Sequence, residues 1–503
     1  ILDIHGSLKK RESPPEGHTD QNVFDIEPGV AISFFRRSFD KASTRSVSHC
    51  NLWGTREQKY HFLLESSFNG IDWTAANPVT PHYLFIPQDR TLQGEYDSGW
   101  SVSEIFRIGS TSVQTSRDAF VTDLDADCLL RRIEELGDSE IEDTVLRSRY
   151  NLKDGRNWKL SCARDFIKDA GAHPSSIKRI LYRAFDFRNI YFASQLINWP
   201  RNDVMKHMSL PNVALLIPRH LSGPNFRHVF CSDQLTEMCV LSTAGREQNY
   251  HYPLYQYPDL SEPNSLLNDE TAAHPNFTPE FLTALSVNLS LAPVRPHGLP
   301  TGISPREIFG FIYATLHSPT YRLRYASFIG MGFPKTPLPG SLELFRELSQ
   351  CGEELVSLHL LESQAASDQL GTLIGSNDFK VEEVSYSDET VWIDKAKTRG
   401  FKGVPEEVWN FHIGGYQVCE KWLKDRQAKG GKNPRPGREL TDEDIEHYQK
   451  IVAALSETIR IMAEIDEVIE AHGGWPGAFV AGNEVQSEAP VSADEAVEQL
   501  DMI

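Results

Sequence analysis

The chain has 503 residues, 40% of them hydrophobic and 24% charged, with a formal net charge of −20. That length holds about two to four domains with real cores, and the composition is ordinary for a globular protein. No apolar run approaches the roughly 18 residues of a membrane-spanning helix, and no basic-then-apolar leader opens the chain. The seven cysteines are scattered without a Cys-x-x-Cys pair. Cys231 and Cys239, the closest two, read as free thiols of a reducing cytoplasm.

Residues 1 to 35 begin with an apolar strand, Ile1 to Ile4, so an amino-terminal part is expected to be missing. A polar loop with Pro14, Pro15 and Gly17 follows, then expected strands at Val23–Ile26 and Val30–Phe35. These nearly continuous apolar runs fit strands buried on both faces of an α/β sheet. The stretch 123 to 143 predicts an amphipathic helix whose stripe is Leu129, Leu130, Ile133 and Leu136. Between 177 and 260 the pattern turns to β, with strand candidates at Asn212–Arg219, His228–Cys231 and Met238–Ser242. Ser304-Pro305-Arg306-Glu307 is a capping box that starts a helix, stopped by Pro319. A hairpin is expected around Val384–Ile393. Thr441 caps the clearest helix, which Gly473-Gly474-Trp475-Pro476 closes. Its apolar residues, Ile445 to Met462, either pack on their own domain or form a coiled-coil seam. After Val480 the composition is that of a disordered acidic tail.

The charge is uneven. Residues 439 to 503 carry 16 acidic and 2 basic side chains, whereas residues 147 to 206 carry 13 basic and 5 acidic. Local charge decides whether a surface attracts phosphate. Within the basic stretch, residues 178 to 192 alternate cations with aromatics: Lys178, Arg179, Tyr182, Arg183, Phe185, Phe187, Arg188, Tyr191. Arginine suits phosphates and guanine edges; the aromatics either stack on a displaced base or belong to a sheet core, and Asp186 is placed to pin one arginine. A second such segment is Val404–Leu423. There Gly414-Gly415 allows a close backbone approach to a partner, and Gln417 and Lys421 follow. The alternative is a turn before a surface helix.

Enzymatic motifs are absent from the sequence: it has no Gly-x-x-x-x-Gly-Lys-Ser/Thr, Gly-x-Gly-x-x-Gly, His-Glu-x-x-His or Gly-x-Ser-x-Gly. The 17 histidines show no zinc-ligand spacing. His5 reads as a hydrogen-bonded structural residue rather than a general base.

Tyr182-Arg183-Ala184-Phe185-Asp186-Phe187-Arg188-Asn189-Ile190-Tyr191 resembles the Tyr-Arg-Pro-Phe-Asp-x-Arg-x-Ile-Tyr segment of Type ISP restriction–modification enzymes, with Ala184 in place of the usual Pro. Ser304–Tyr325, Phe333–Pro339, Val404–Leu423 and the Asp444–Tyr448 helix with its Gly-Gly-Trp-Pro ending are similar to further blocks of that family. Val113–Phe120 partly resembles its Gly-Ile-x-Thr-x-x-Asp-x-Phe junction. The resemblance covers about residues 1 to 478. It implies a mixed α/β fold: late strands of a Rossmann-like methyltransferase sheet, then a mixed α+β target-recognition domain with a helical carboxy-terminal part. The expected divisions are 1–120 (methyltransferase end), 121–300 (α/β recognition part), 301–480 (mainly helical part) and 481–503 (acidic tail).

The function so implied is sequence-specific recognition of double-stranded DNA that positions an adenine for N6 methylation. The upstream methyltransferase, helicase and nuclease domains of the same polypeptide would be its partners. The intact enzyme would use S-adenosylmethionine, with ATP and magnesium for cleavage; no cofactor is expected to bind this chain. Ser13-Pro14-Pro15-Glu16 is the one near match to the catalytic Asn/Asp/Ser-Pro-Pro-Tyr/Phe loop, and Glu16 cannot stack on a flipped base. The chain alone is therefore expected to be inactive and cytoplasmic. Expected DNA-binding residues are Arg183, Arg188, Lys178, Arg179 and Arg201, then Gln417 and Lys421, with Arg117 near the flipped base. A protein-interaction scaffold without nucleic-acid contact is the alternative.

Overall fold

A computed structural model describes residues 1–8, 19–37, 46–80, 83–222, 225–243, 247–258, 273–363, 370–375, 379–428, 430 and 437–480. The expected acidic tail and the Ser13–Glu16 sequence lie outside these residues. The chain divides into two compact units, Ile1–Gly94 with Ser222–Asn225, and Glu95–Leu221 with Phe226–Ile503.

The first unit holds a four-stranded sheet of β1 (Leu2–His5), β2 (Val30–Ile32), β3 (Val47–Asn51) and β4 (Thr74–Ala76), in the order β2-β1-β3-β4. Strand β1 runs parallel to β3 and antiparallel to β2. Helix α1 (Arg56–Glu65) buries Lys59 completely. Its Nζ donates to the carbonyls of Ile4 and Gln21, both at 2.7 Å, and meets Asp20 at 2.5 Å. An ammonium is tolerated there because all three of its protons find acceptors.

Two expected strands are corrected. Val23–Ile26 forms bends, and the second run keeps only β2, leaving Phe34 and Phe35 exposed. Asn22 is the cause. Its amide donates to the carbonyls of Gly6, Ile26 and Pro28, and its Oδ1 accepts from the Phe24 N–H. The side chain thus occupies backbone groups that a ladder would need. His5 has the structural role expected of it, 2.9 Å from Asn51 Oδ1 and stacked on Trp53.

The second unit contains β5 (Ser110–Thr111), β6 (Thr122–Asp123), and helices α2 (Ala126–Gly137) and α3 (Leu160–Ala170). The hairpin β7 (Ile177–Arg183) and β8 (Asp186–Tyr191) follows, then β9 (Ala214–Pro218), β10 (Phe230–Ser232), β11 (Leu235–Thr236) and β12 (Asn249–Pro253). They form two sheets, ordered β10-β9-β12-β5 and β11-β7-β8-β6. Val113, Ile180, Ile190, Ile197, Ala214 and Leu235 form one core cluster drawn from both. The expected stripe of α2 packs with Leu160, Ala163 and Ile167 of α3 in a second cluster. Asp125 accepts the Asp127 and Cys128 N–H groups at the start of α2.

Met238–Ser242 is a turn rather than the expected strand. Met238 N–H donates to Val113 O at 2.9 Å, but beyond it Cys239 donates to Glu237 Oε2 at 2.7 Å, Val240 to Glu237 O at 3.4 Å and Leu241 to Asn249 Oδ1 at 3.4 Å.

The remainder of the unit contains α4 (Pro305–His317), α5 (Pro319–Arg324), α6 (Leu342–His359), the strands β13 (Thr372–Ile374), β14 (Ser385–Ser387), β15 (Thr390–Trp392) and β16 (Gly400–Lys402), then α7 (Val418–Lys424) and α8 (Asp442–Ala471). The four strands form a sheet, order β13-β16-β15-β14, that contains the expected hairpin. Ser304 and Thr441 cap α4 and α8 as expected, each in a reciprocal capping box. Helices α4 and α6 touch backbone to backbone at Gly310 and Gly352, where a Cβ on Gly352 would run into the Gly310 carbonyl. Helix α8 packs on α6 and α4 within its own unit, which settles the choice left open by its spacing.

Candidate nucleic-acid interface

The β7–β8 hairpin is built inward. Its turn places Phe185 at φ 60°, and the Ala184 N–H donates to Tyr416 Oη at 2.8 Å. Arg183, only 8% exposed, meets Glu237 at 2.8 Å and lies 4.1 Å from the Tyr182 ring centroid. Burial raises the Glu237 carboxyl, while Arg183 pulls it back. Arg188 donates twice to Asp186 Oδ2, at 2.9 and 3.1 Å, and also lies over the Tyr182 ring, 3.7 Å from its centroid.

Asp186 also receives Arg426 at 3.1 Å. Burial alone would push its carboxyl up, but Arg188 and Arg426 hold it far below the ordinary carboxylate range. Arg426 reaches on to Asp444, which accepts from Arg438 at 2.6 Å and caps α8. The conspicuous motif is therefore a buried ionic chain that ties the hairpin to α8.

These contacts engage four of the expected DNA-binding residues within the chain itself. Arg183 and Arg188 pair with Glu237 and Asp186. Gln417 spends its amide on the Trp409 carbonyl. Lys421 pairs with Asp425, and burial lowers its pKa. The close approach at Gly414-Gly415 is made to the chain itself: Gly414 N–H donates to Arg227 O at 2.6 Å and Gly415 N–H to Leu241 O at 2.8 Å. Asp186 pins Arg188 as expected, and Arg426 besides.

The wider basic stretch is partly neutralised too. Arg147 pairs with Asp154, Arg149 with Glu135 and Arg164 with Asp143. Four expected residues have no carboxylate partner among the described residues: Arg117, Lys178, Arg179 and Arg201. Lys178 and Arg179 are exposed on β7, the latter 4.2 Å over the Phe187 ring. Arg117 lies 3.9 Å over Trp158, and its Nη1 donates to the carbonyls of Thr115 and Leu196, each at 3.1 Å. Burial brings its pKa down to about 10, so the group remains cationic near neutrality.

Arg201 adopts φ 58° and lies 5.2 Å from the Trp199 centroid. Its buried Nε has no partner among the described residues. Trp199 is 42% exposed. Gln114 and Trp199 exchange two backbone hydrogen bonds of 3.0 Å, which join the Arg117 and Arg201 segments. Trp158 Nε1 donates to Gln195 O at 3.0 Å and fixes the third wall. The backbone pairing thus brings together the segments that carry Arg117, Arg201 and the half-exposed Trp199 indole. Cationic planar groups beside an accessible aromatic can hold phosphate, hydrogen-bond a base edge or stack on a base. The sequence reading missed Trp158 and Trp199; the available signal was Trp199-Pro200-Arg201, an aromatic beside a cation inside the basic stretch.

The fold is similar to that of three solved enzymes. It matches the "ATP-dependent Type ISP restriction-modification enzyme LlaBIII bound to DNA" (TM-score 0.69, 17% identity, 92% of this chain and 30% of that one). It also matches a DrdV–DNA complex (TM-score 0.66, 20% identity, 92% and 47%) and a nuclease-deletion mutant of the Type ISP enzyme LlaGI with a DNA substrate mimic (0.63, 17%, 92% and 36%). The chain therefore spans less than half the length of each of these enzymes. No curated protein matches the sequence. The likeness fixes the fold, a mixed α/β arrangement of several small sheets and helices. Residues 104–464 match the Type ISP C-terminal specificity domain, and the chain belongs to that family.

Proposed function

We propose that this chain recognises a specific sequence in duplex DNA and, within a longer restriction–modification polypeptide, positions a target adenine for N6 methylation. The observation that carries this reading is the family match over residues 104–464. On this reading the first unit contributes late strands of a Rossmann-like methyltransferase sheet. Upstream segments bring S-adenosylmethionine chemistry and the ATP- and magnesium-dependent cleavage machinery. The chain alone binds without methylating.

Contacts to phosphate set the register of a protein on a duplex, and contacts to base edges specify sequence. Lys178 and Arg179 suit the first task. Arg117, Trp199 and Arg201 suit the second: Arg117 is held by two carbonyls and the Trp158 ring before DNA arrives, and Arg201, its Nε without a partner among the described residues, lies beside the exposed Trp199 ring. Selection of bound duplexes from a randomised pool tests the proposal. One enriched motif is expected, and binding without any enrichment contradicts it.

A further inference from the structure

Arg117 stands on a loop whose two ends are fixed. Before it, Val113 N–H donates to Thr236 O at 2.9 Å, and Gln114 is paired with Trp199. After it, Phe120 and Val121 of the single helical turn Asp118–Val121 are buried in the cluster of α2 and α3. The link between these ends is irregular: Ser116 has φ 59°, and Arg117 has φ −151° with ψ 50°. A left-handed serine persists where surrounding contacts hold it.

Those contacts come from two hydroxyls and one carboxylate. Thr115 is fully buried and donates its one hydroxyl proton to Asp118 Oδ1. Its oxygen is left to accept the Arg117 N–H at 3.2 Å. Thr115 O accepts Arg117 Nη1 at 3.1 Å, so Thr115 holds the arginine at both ends. The other carboxylate oxygen, Asp118 Oδ2, accepts from the Tyr182 hydroxyl at 3.1 Å. Burial and the Asp118 charge push the Tyr182 phenol up, which keeps it a donor. The same ring lies 4.1 and 3.7 Å from the guanidinium carbons of Arg183 and Arg188. Asp118 is next to Arg117 in sequence, yet among the described residues it forms no ion pair with it.

We infer that Asp118 is a positioning residue for DNA recognition, setting through Thr115 and Tyr182 the loop from which Arg117 meets a base edge. It ties that loop to the β7–β8 hairpin and leaves the arginine its charge. The inference rests on the DNA-recognition reading above, and on it Asp118, Thr115 and Tyr182 touch no DNA. Loosening the loop then costs discrimination between bases, while the charge that serves every sequence alike remains.

The test is the ratio of affinities for the duplex enriched from the randomised pool and for a scrambled duplex. Tyr182→Phe keeps the ring and Thr115→Val keeps the shape, and each removes one hydroxyl. Either should lower the ratio about 2- to 10-fold, the worth of one hydrogen bond, with affinity for the scrambled duplex unchanged. Asp118→Asn, which loses one acceptor, should fall as far, and Thr115→Ser should keep the ratio. A purely structural role lowers the binding-competent fraction on both duplexes alike and leaves the ratio where it was. Arg117→Gln should lower the ratio about 5- to 150-fold. Adding Tyr182→Phe to it should bring no further fall, because both changes then remove one shared contact. The separate hydroxyl variants keep the test open if one of them fails to fold. A ratio unmoved by the hydroxyl variants, or a further fall from Tyr182→Phe on top of Arg117→Gln, overturns this inference alone. A pool that yields no enriched duplex overturns the recognition reading and this assignment with it.

Discussion

Arg188 and Arg201 come from the same basic stretch of sequence, yet one ends against Asp186 and the other beside a half-exposed tryptophan. Arg188, Arg183 and Arg426 are each matched to a buried carboxylate: Arg188 pairs with Asp186 inside the hairpin, Arg183 with Glu237 after β11, and Arg426 reaches Asp186 from the helical part. Arg117, Arg179 and Arg201 are held by carbonyls and aromatic rings, which orient a guanidinium without neutralising it. The difference lies in the partner, and it separates structural arginines from those with charge left for an anion.

The largest effect is expected at Asp186. Asp186→Ala leaves Arg188 and Arg426 facing each other in the interior, and loss of one member of a buried ion pair costs about 3–5 kcal/mol. Urea unfolding should show that loss; a stability change below about 1 kcal/mol would remove the distinction between the two arginine sets. The same group sets an acid limit. Because the folded-state carboxyl is held below its unfolded value of about 3.9, its contribution is complete above that pH and is lost as pH falls below it. The Asp186→Ala chain should lack this component of the acid transition.

Binding effects come next. Arg201→Ala and Trp199→Ala should each weaken cognate duplex binding by about 1–3 kcal/mol. Their unfolding free energy should stay within about 0.5 kcal/mol of the parent. If Arg201→Ala instead unfolds the chain with binding intact per folded molecule, Arg201 belongs with the structural set. The smallest effect is expected at Arg147, whose pair with Asp154 is half-exposed. Arg147→Gln should change stability by about 0–1 kcal/mol and leave duplex binding unaltered in a parallel titration.

Features that depend on neighbours along the chain were legible beforehand. The caps at Ser304 and Thr441 and the stripe of α2 need only residues three or four positions apart, and all three form as expected. The resemblance drawn from Tyr182–Tyr191 and its companion blocks agrees with the family match. The strand expected at Val23–Ile26 failed because a single side chain, Asn22, competes for its backbone. The site was the least legible part. Arg183 meets a carboxylate 54 residues away, and Asp186 meets Arg426 across 240 residues. A local count of charges contains neither pairing. It registers 13 basic residues and does not show that Arg147, Arg149, Arg164, Arg183 and Arg188 are paired with carboxylates in the fold.

Arginine labelling with phenylglyoxal, read by mass spectrometry with and without cognate duplex, puts the two sets side by side in one sample. Arg179 and Arg201 should react in the free chain and become protected by DNA, while Arg183, Arg188 and Arg426 stay unreactive throughout. Ready labelling of Arg183 and Arg188, with protection appearing there and not at Arg179 or Arg201, would contradict the assignment.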